Sequence, residues 1–352
     1  MRLVLTIVFF LKGFLFAVQT DYDVAVVGTS PISMLEAIYH IAKNERVLIL
    51  EADEKCGGAW KSIDICGITH ADLGCHLIGT DNRLKEFFKQ YFGCKFICLE
   101  HPDQEALETH NRCANGYYFS EGCYELISHL QRYIESKNNA ALVHRKLESI
   151  FIDRDRASIE LSLGTGRVTT AKLILTPSSH FRVENPAFTN QEPRGHVYPH
   201  LYILVEDEKP SNFTYVNGIV SGMSRAMNLT SFLKFPRQNL QLIVIQTHGQ
   251  NELDNVQKFF NAFIERKYLS PHAKIIAVDT YSYRQSYMNT AAITHIAGPL
   301  VEILDTSSFS SMIKYLDKWK TALPPHQGNG VGNEGLQKVS LIRSNESSEI
   351  SK

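Results

Sequence analysis

An apolar run, DVAVVG at Asp23–Gly28, is followed by a helix-patterned stretch, TSPISMLEAIYHIAK. A second apolar run ends in an acid, RVLILE at Arg46–Glu51. No other feature limits the fold so tightly. Val24–Val27 suits a strand buried on both faces, and Gly28 ends it. Pro31 belongs in the first turn of a helix, where its missing N–H would be unpaired anyway. Met34, Leu35, Ile38 and Ile41 repeat at helical spacing, and Val47–Leu50 is a second buried strand. Two such strands around one helix predict a right-handed βαβ unit at the start of an α/β, Rossmann-like FAD/NAD(P)-binding domain. A second, mixed α+β substrate domain is expected to follow.

The turn between the first strand and the helix reads Gly28-x-Ser30-x-x-Ser33. Gly28 permits the tight turn that aims helix N–H groups at a phosphate. Ser30 stands where a glycine would let the backbone approach a pyrophosphate, and Ser33 where a glycine would allow close helix–strand packing. Their hydroxyls can donate hydrogen bonds, but each Cβ takes room. Glu51, 23 residues after Gly28, is placed to accept from the hydroxyls of a ribose, or to be a surface acid at a strand end. An acid there disfavours a ribose phosphate, so NADP is a poorer match than FAD or NAD. Gly57 and Gly58 allow a backbone turn close to a ligand. Trp60 beside them either covers an aromatic ring or caps the local core.

These positions, with Asp72-Leu-Gly74-Cys-His76, make the chain resemble the FAD-dependent oxidoreductases that include flavin amine oxidases, phytoene desaturases, prenylcysteine oxidases and protoporphyrinogen oxidases. The resemblance extends through Glu121–Leu130, Val143 and Lys172–Pro177. It implies bound FAD, with the paired glycines beside its phosphates, Gly74 approaching the flavin region, and Val143 as a backbone contact on the adenine side. Two departures stand out. Ser30 and Ser33 alter the phosphate fingerprint. The C-terminal Gly-Asp or Gly-Glu segment that completes the cofactor cradle has only weak counterparts in Ala297-Gly298-Pro299 and Ile303-Leu-Asp305.

His76, Tyr283 and Arg284 are the catalytic candidates. His76 follows the glycine loop, and its alternative is a structural role. Tyr281, Tyr283, Arg284 and Tyr287 form an aromatic-rich patch after an expected strand at Ile275–Val278, suited to line a channel or to pack a domain edge. Arg284 could bind a carboxylate. Cys66, His70, Cys75 and His76 raise a zinc alternative, but no compact Cys-x-x-Cys supports it, and no metal is assigned. The function implied is oxidation of an amine, thioether or lipid-like small molecule by hydride transfer to flavin. The alternative is a nonenzymatic relative that keeps the fold for ligand or protein binding.

Composition bounds the rest. The 352 residues are 44% apolar and carry a formal charge of -1. A large core is affordable, and nothing points to nucleic acid. Arg2 and the apolar stretch Leu3–Val18 resemble a signal peptide, implying a secreted, endomembrane or periplasmic protein. The alternatives are a terminal strand or a hydrophobic anchor giving peripheral membrane association, or a cytoplasmic protein. Asn212, Asn228 and Asn345 head glycosylation triplets. The seven cysteines all fall between Cys56 and Cys123. Some would pair after export, and in a reducing compartment they would be core residues.

Domain limits follow from these patterns. Residues 21–78 and 118–180 form the nucleotide domain, with a helical and irregular insertion at 79–117. Residues 181–290 form the sheet domain, 291–322 a helical return and 323–352 a flexible tail. Cleavage after the leader predicts a native chain beginning near Gln19. Mass analysis of the native N-terminus checks this, and an intact Met1 excludes cleavage.

Overall fold

The apolar runs sort into two large sheets, and the way those sheets share one core determines where a cleft opens. The computed structural model describes residues 19–76, 81–99, 116–164, 166–186, 188–190, 194–209, 213–232, 239–287, 290–305 and 309–323. The leader, Cys113, Asn212, Asn345 and the tail lie outside them, as does the side chain of Tyr287.

The opening unit forms as read. Strand β1 (Tyr22–Val27) leads through the Gly28 turn into α1 (Pro31–Ala42), capped by Ser30, and then β2 (Val47–Glu51). The hairpin β3 (Ser62–Ile65) and β4 (Ile68–Asp72) turns at Gly67. Helix α2 (Asn82–Phe92) starts on the Asp81 cap and ends on left-handed Gly93. The stretch 94–117, expected to be irregular, includes a strand pair, β5 (Phe96–Leu99) and β6 (Gly116–Phe119). Helix α3 (Gly122–Glu135) and β7 (Ala140–His144) follow. Then come β8 (Ser149–Asp153), β9 (Ser158–Ser162), β10 (Arg167–Leu175) and β11 (Arg182–Val183).

Among the described residues the first sheet runs β11-β8-β9-β10-β1-β2-β7. Strands β10, β1, β2 and β7 are mutually parallel, and β8, β9 and β10 are antiparallel. The second sheet is antiparallel, in the order β13 (Tyr215–Asn217), β14 (Met223–Asn228), β15 (Leu240–Thr247), β12 (Arg194–Glu206), β16 (Lys274–Tyr287). Helix α4 (Val256–Glu265) covers its outer face through Phe259, Phe260 and Phe263. The chain then returns through α5 (Thr290–Ala297), β17 (Val301–Ile303) and α6 (Leu316–Lys320).

Three local expectations change. The strand at Lys274 runs on to Tyr287, because its backbone pairs with nearly all of β12 and needs no further apolar pattern. Strand β14, MSRAMN in sequence, has little strand character of its own and is held by β13 and β15. Residues 293–303, read as mainly helical, leave the helix at Gly298-Pro299, and Val301–Ile303 pairs in parallel with Leu173–Leu175. Strand β17 therefore joins the first sheet, as does β11 (Arg182–Val183) through its pairing with β8.

The largest apolar cluster joins the two sheets. Leu35 and Ile38 of α1, Tyr118 of β6 and Leu126 of α3 share it with Tyr202, Met227 and Val244 from the inner face of the second sheet. The opposite face of the first sheet is closed by Ile293 and Ala297 of α5. No helix among the described residues is long and apolar enough to cross a membrane. Cys56, Cys66, Cys75, Cys94 and Cys123 are free thiols.

One ionic contact fastens the chain's return. Glu36 of α1 is fully buried; it accepts from Trp319 Nε1 at 3.0 Å and from Lys318 Nζ. Burial alone would raise its pKa, but hydrogen bonds from His40, Lys318 and Trp319 hold it down from 4.5 to about 2. A carboxylate depressed in the folded state contributes stability above its ordinary pKa and loses it as pH falls through about 2. Glu36→Ala should cost about 3 kcal/mol in urea unfolding at neutral pH, since it strands buried partners. The variant should also lack the part of the wild-type stability loss that develops between pH 4.5 and 2.

Candidate functional site

A cleft of about 800 Å³ opens where the parallel strands end. Its walls are the C-terminal ends of β1, β2 and β10 on one side and the inner face of the second sheet on the other. Strand ends of this kind are where open α/β sheets take ligands, since loops and helix N-termini converge there.

At the first end, Gly28 has φ +93°, while an added Cβ would meet nothing nearer than Ser33 Oγ at 3.9 Å. Backbone conformation, rather than space, calls for glycine there. Ser30 Oγ accepts from Ser33 N at 3.4 Å and lies 2.8 Å from Ser33 Oγ, so the two residues in glycine positions cap α1 together. Thr29, next to Gly28 in the turn, is central. Its N–H donates to Glu51 Oε2 at 3.1 Å, its hydroxyl donates to the same oxygen, and it accepts from Gly57 N at 2.9 Å. Asp53 N donates to Glu51 Oε1 at 2.9 Å. Glu51 therefore ties the turn together. A carboxylate has about four acceptor sites, and with three donors placed, about one remains for a ligand hydroxyl.

The other cofactor candidates separate. Gly58 and Trp60 border the cleft. Gly57 is buried beneath it, with φ +121° and a would-be Cβ 2.7 Å from Lys61 Cα. Gly74 is also not on the wall. Its N–H donates to Tyr202 Oη at 2.9 Å, and a Cβ there would sit 2.7 Å from His200 Nε2, so its bareness admits the His200 ring. Val143 is occupied in pairing with Leu50, and the chain meets the cleft instead at Arg145, Lys146 and Leu147.

Of the catalytic candidates, all three border the cleft. His76 stacks on Trp60, with ring centroids 4.4 Å apart and planes 18° apart, and its Nε2 lies 2.7 Å from Ala59 O. Burial first, and the charge of Arg225 second, lower its pKa to about 4, so it is neutral at pH 7. Tyr283 is partly buried, and burial raises its phenol pKa. Arg284 is the next residue of β16 and is exposed, because alternate residues of a strand face opposite ways. Tyr281 and Tyr283 pack against the inner core. The patch is thus a strand interior rather than a loop after one.

The second sheet brings a row of residues that sequence reading missed. Arg225, Gln246 and His200 are paired across β14, β15 and β12 at one level. Two residues further along, Met227, Val244 and Tyr202 form the apolar row buried in the shared core. A polar row beside an apolar row on the inner face makes the cleft wall. Each polar residue adjoins an apolar run, which was a faint signal; their meeting was not readable. Thr176, Ser178 and His180, just past β10, also border the cleft, as the strand-end rule would have suggested. The weak C-terminal counterpart becomes β17, whose following residue Leu304 bonds to Leu175 O before the chain reaches Met312 on the wall.

Among the described residues no group of three His, Cys, Asp or Glu converges on a metal position. Cys66 Sγ faces Tyr202 O, Cys75 Sγ faces Val244 O, and His70 stacks on Tyr124. Asn228 is buried and donates to Gln241 Oε1 at 3.0 Å, which removes it as a glycan acceptor in the folded chain.

No protein-family model and no curated protein matches the sequence. Solved structures do match in shape. Cyclohexylamine oxidase from Brevibacterium oxydans IH-35A aligns over 86% of this chain and 98% of its own, at 12% identity and TM-score 0.57. Wild-type putrescine oxidase bound to putrescine aligns over the same shares, at 10% identity and TM-score 0.58. Reduced UDP-galactopyranose mutase aligns over 85% of this chain and 88% of its own, at 11% identity and TM-score 0.54. The fold is therefore the Rossmann-like domain plus substrate domain of the amine-oxidase type. That fold also serves a mutase by name, so it does not fix one reaction.

Gly74→Ala should destabilise the protein by about 2 kcal/mol in urea unfolding, from the left-handed backbone and the blocked His200 ring. Gly74→Ala combined with His200→Ala should recover part of that loss, giving a favourable coupling in the double-mutant cycle.

Proposed function

We propose that the chain is an FAD-dependent oxidoreductase acting on a small amine, thioether or lipid-like molecule. The observation that carries this reading is the continuity of one cleft, from the N-terminus of α1 past Glu51 to the polar row of the second sheet. The residues present fit a dinucleotide. The Gly28 turn and the capped N-terminus of α1 would meet the pyrophosphate, Glu51 retains an acceptor for a ribose hydroxyl, and the segment from Arg145 to Leu147 borders the same end. Trp60, His76 and Tyr283 would flank the ring system. FAD, when bound, supplies the acceptor for a hydride.

The chain's own residues then have positioning tasks. The Trp60–His76 stack gives the cleft a flat aromatic wall. Neutral His76, donating from Nε2 to Ala59 O, holds that wall in place. Tyr283 keeps its phenol proton at the opposite wall, because burial opposes the phenolate. His76, a catalytic candidate from its sequence context, takes a positioning role in this reading, and Arg284 borders the cleft from an exposed position on β16.

A second reading has its own support. Thr29 and Glu51 satisfy one another, and Ser30 and Ser33 cap α1 without a ligand, so the turn holds its shape unaided. A nonenzymatic relative would look the same at that turn. Native purification separates the two readings. Oxidoreductase function predicts yellow protein whose released chromophore has the mass and absorbance of FAD, bleached by a reducing substrate. Protein that stays colourless after refolding with added FAD would sink it and leave the binding reading.

A further inference from the structure

The polar row across the second sheet contains a cation without a counter-ion. Arg225 is half-buried on the cleft wall, and among the described residues no carboxylate pairs with it. Among the described residues its one side-chain hydrogen bond runs from Nε to Gln246 Oε1 at 2.7 Å. That bond uses the inner edge of the guanidinium and fixes its plane, which leaves the two terminal nitrogens as a fork. Beside it, His200 is 5% exposed; the backbone of Tyr198 and Tyr281 lies near its ring, but its Nδ1 has no partner in hydrogen-bonding geometry. Burial, with Arg225's charge second, also lowers His200 to about 4, so the row carries a single positive charge, on Arg225, at pH 7.

A half-buried cation without a partner and an orphaned ring nitrogen both carry a desolvation cost. Trp60, Tyr198 and Leu73 give the same cleft aromatic and apolar surface alongside its polar residues. A planar two-oxygen anion on an apolar body matches a guanidinium fork set beside aromatic and apolar wall residues. From this juxtaposition we infer that the cleft's substrate carries a carboxylate, held end-on by the fork of Arg225 with Gln246 fixing the guanidinium and His200 beside it. The inference rests on reading the cleft as a substrate site, and it narrows the substrate class to carboxylate-bearing molecules. It replaces Arg284, exposed on β16, as the residue expected to take that group.

Calorimetric titration of the purified full chain tests it with acetate, hexanoate, phenylacetate, inorganic phosphate and phenethylamine as probes. At least one of the monocarboxylates should bind saturably and more tightly than phosphate or phenethylamine. Arg225→Gln should weaken that carboxylate at least tenfold, Arg225→Lys less, and Gln246→Leu should weaken it with the arginine still in place. Flavin content of each variant is measured in parallel. Carboxylate affinity unchanged by Arg225→Gln, a preference for phosphate or phenethylamine, or no binding of any monocarboxylate overturns the inference. So does loss of flavin in Arg225→Gln, which would make Arg225 a cofactor residue. If the chain proves colourless, the titration still stands by itself, so failure of the flavin reading and failure of the carboxylate subsite give different results.

Discussion

Much of this architecture hangs on the buried carboxylate of Asp72. It lies at the end of β4 and accepts from Ser62 Oγ at 3.0 Å, from Cys123 N at 3.1 Å and from the hydroxyl of Tyr118. Its own carbonyl accepts from Tyr202 Oη at 3.1 Å, and that hydroxyl also receives Gly74 N–H. One residue thus binds the hairpin, the start of α3, strand β6 and the second sheet. Burial raises its pKa, opposed by these donors. Such a network is worth having only if fully satisfied, because each unpaired group in a low-dielectric core carries the full desolvation cost. Gly122 shows how close the fit is: a Cβ there would lie 2.9 Å from Asp72 Oδ2. By holding the two sheets at this seam, the network decides that a cleft exists beside it.

The cleft then has two chemically different ends. The turn end is made of short local contacts, with Thr29, Ser30, Ser33 and Glu51 bonding within one βαβ unit. The sheet end is made of residues brought together from three strands of a different sheet. The first can hold its shape while waiting for a ligand. The second keeps an uncompensated guanidinium and an unsatisfied imidazole nitrogen, which is where a ligand would gain most.

The opening βαβ unit was legible because it rests on local periodicity and turn residues, and the Gly67 hairpin, α2, α3 and α4 rest on local signals of the same kind. Gly28, Ser30, Ser33, Glu51, Gly58, Trp60, His76, Tyr283 and Arg284 do meet at one cleft. What failed to show was sustained by partners far along the chain. Strand β14 and the second half of β16 take their form from β12, β13 and β15, and β17 takes its from β10. Gly74 and Val143 were placed by analogy to a pattern, but the first makes room for His200 and the second serves strand pairing.

By itself, then, the sequence determined a Rossmann-like beginning and a ligand-ready turn, since strand, turn and helix signals there lie within 30 residues of one another. Only the tertiary structure decided what faces that turn. Arg225, Gln246 and His200 are separated by at least 21 residues in the chain, and antiparallel pairing sets them side by side on the inner face. Side-chain alternation marks which residues share a face of a strand, but register between strands is fixed by packing against the rest of the core. The same packing seam, centred on Asp72, turned an alternating pattern into a wall and set Arg225 on it.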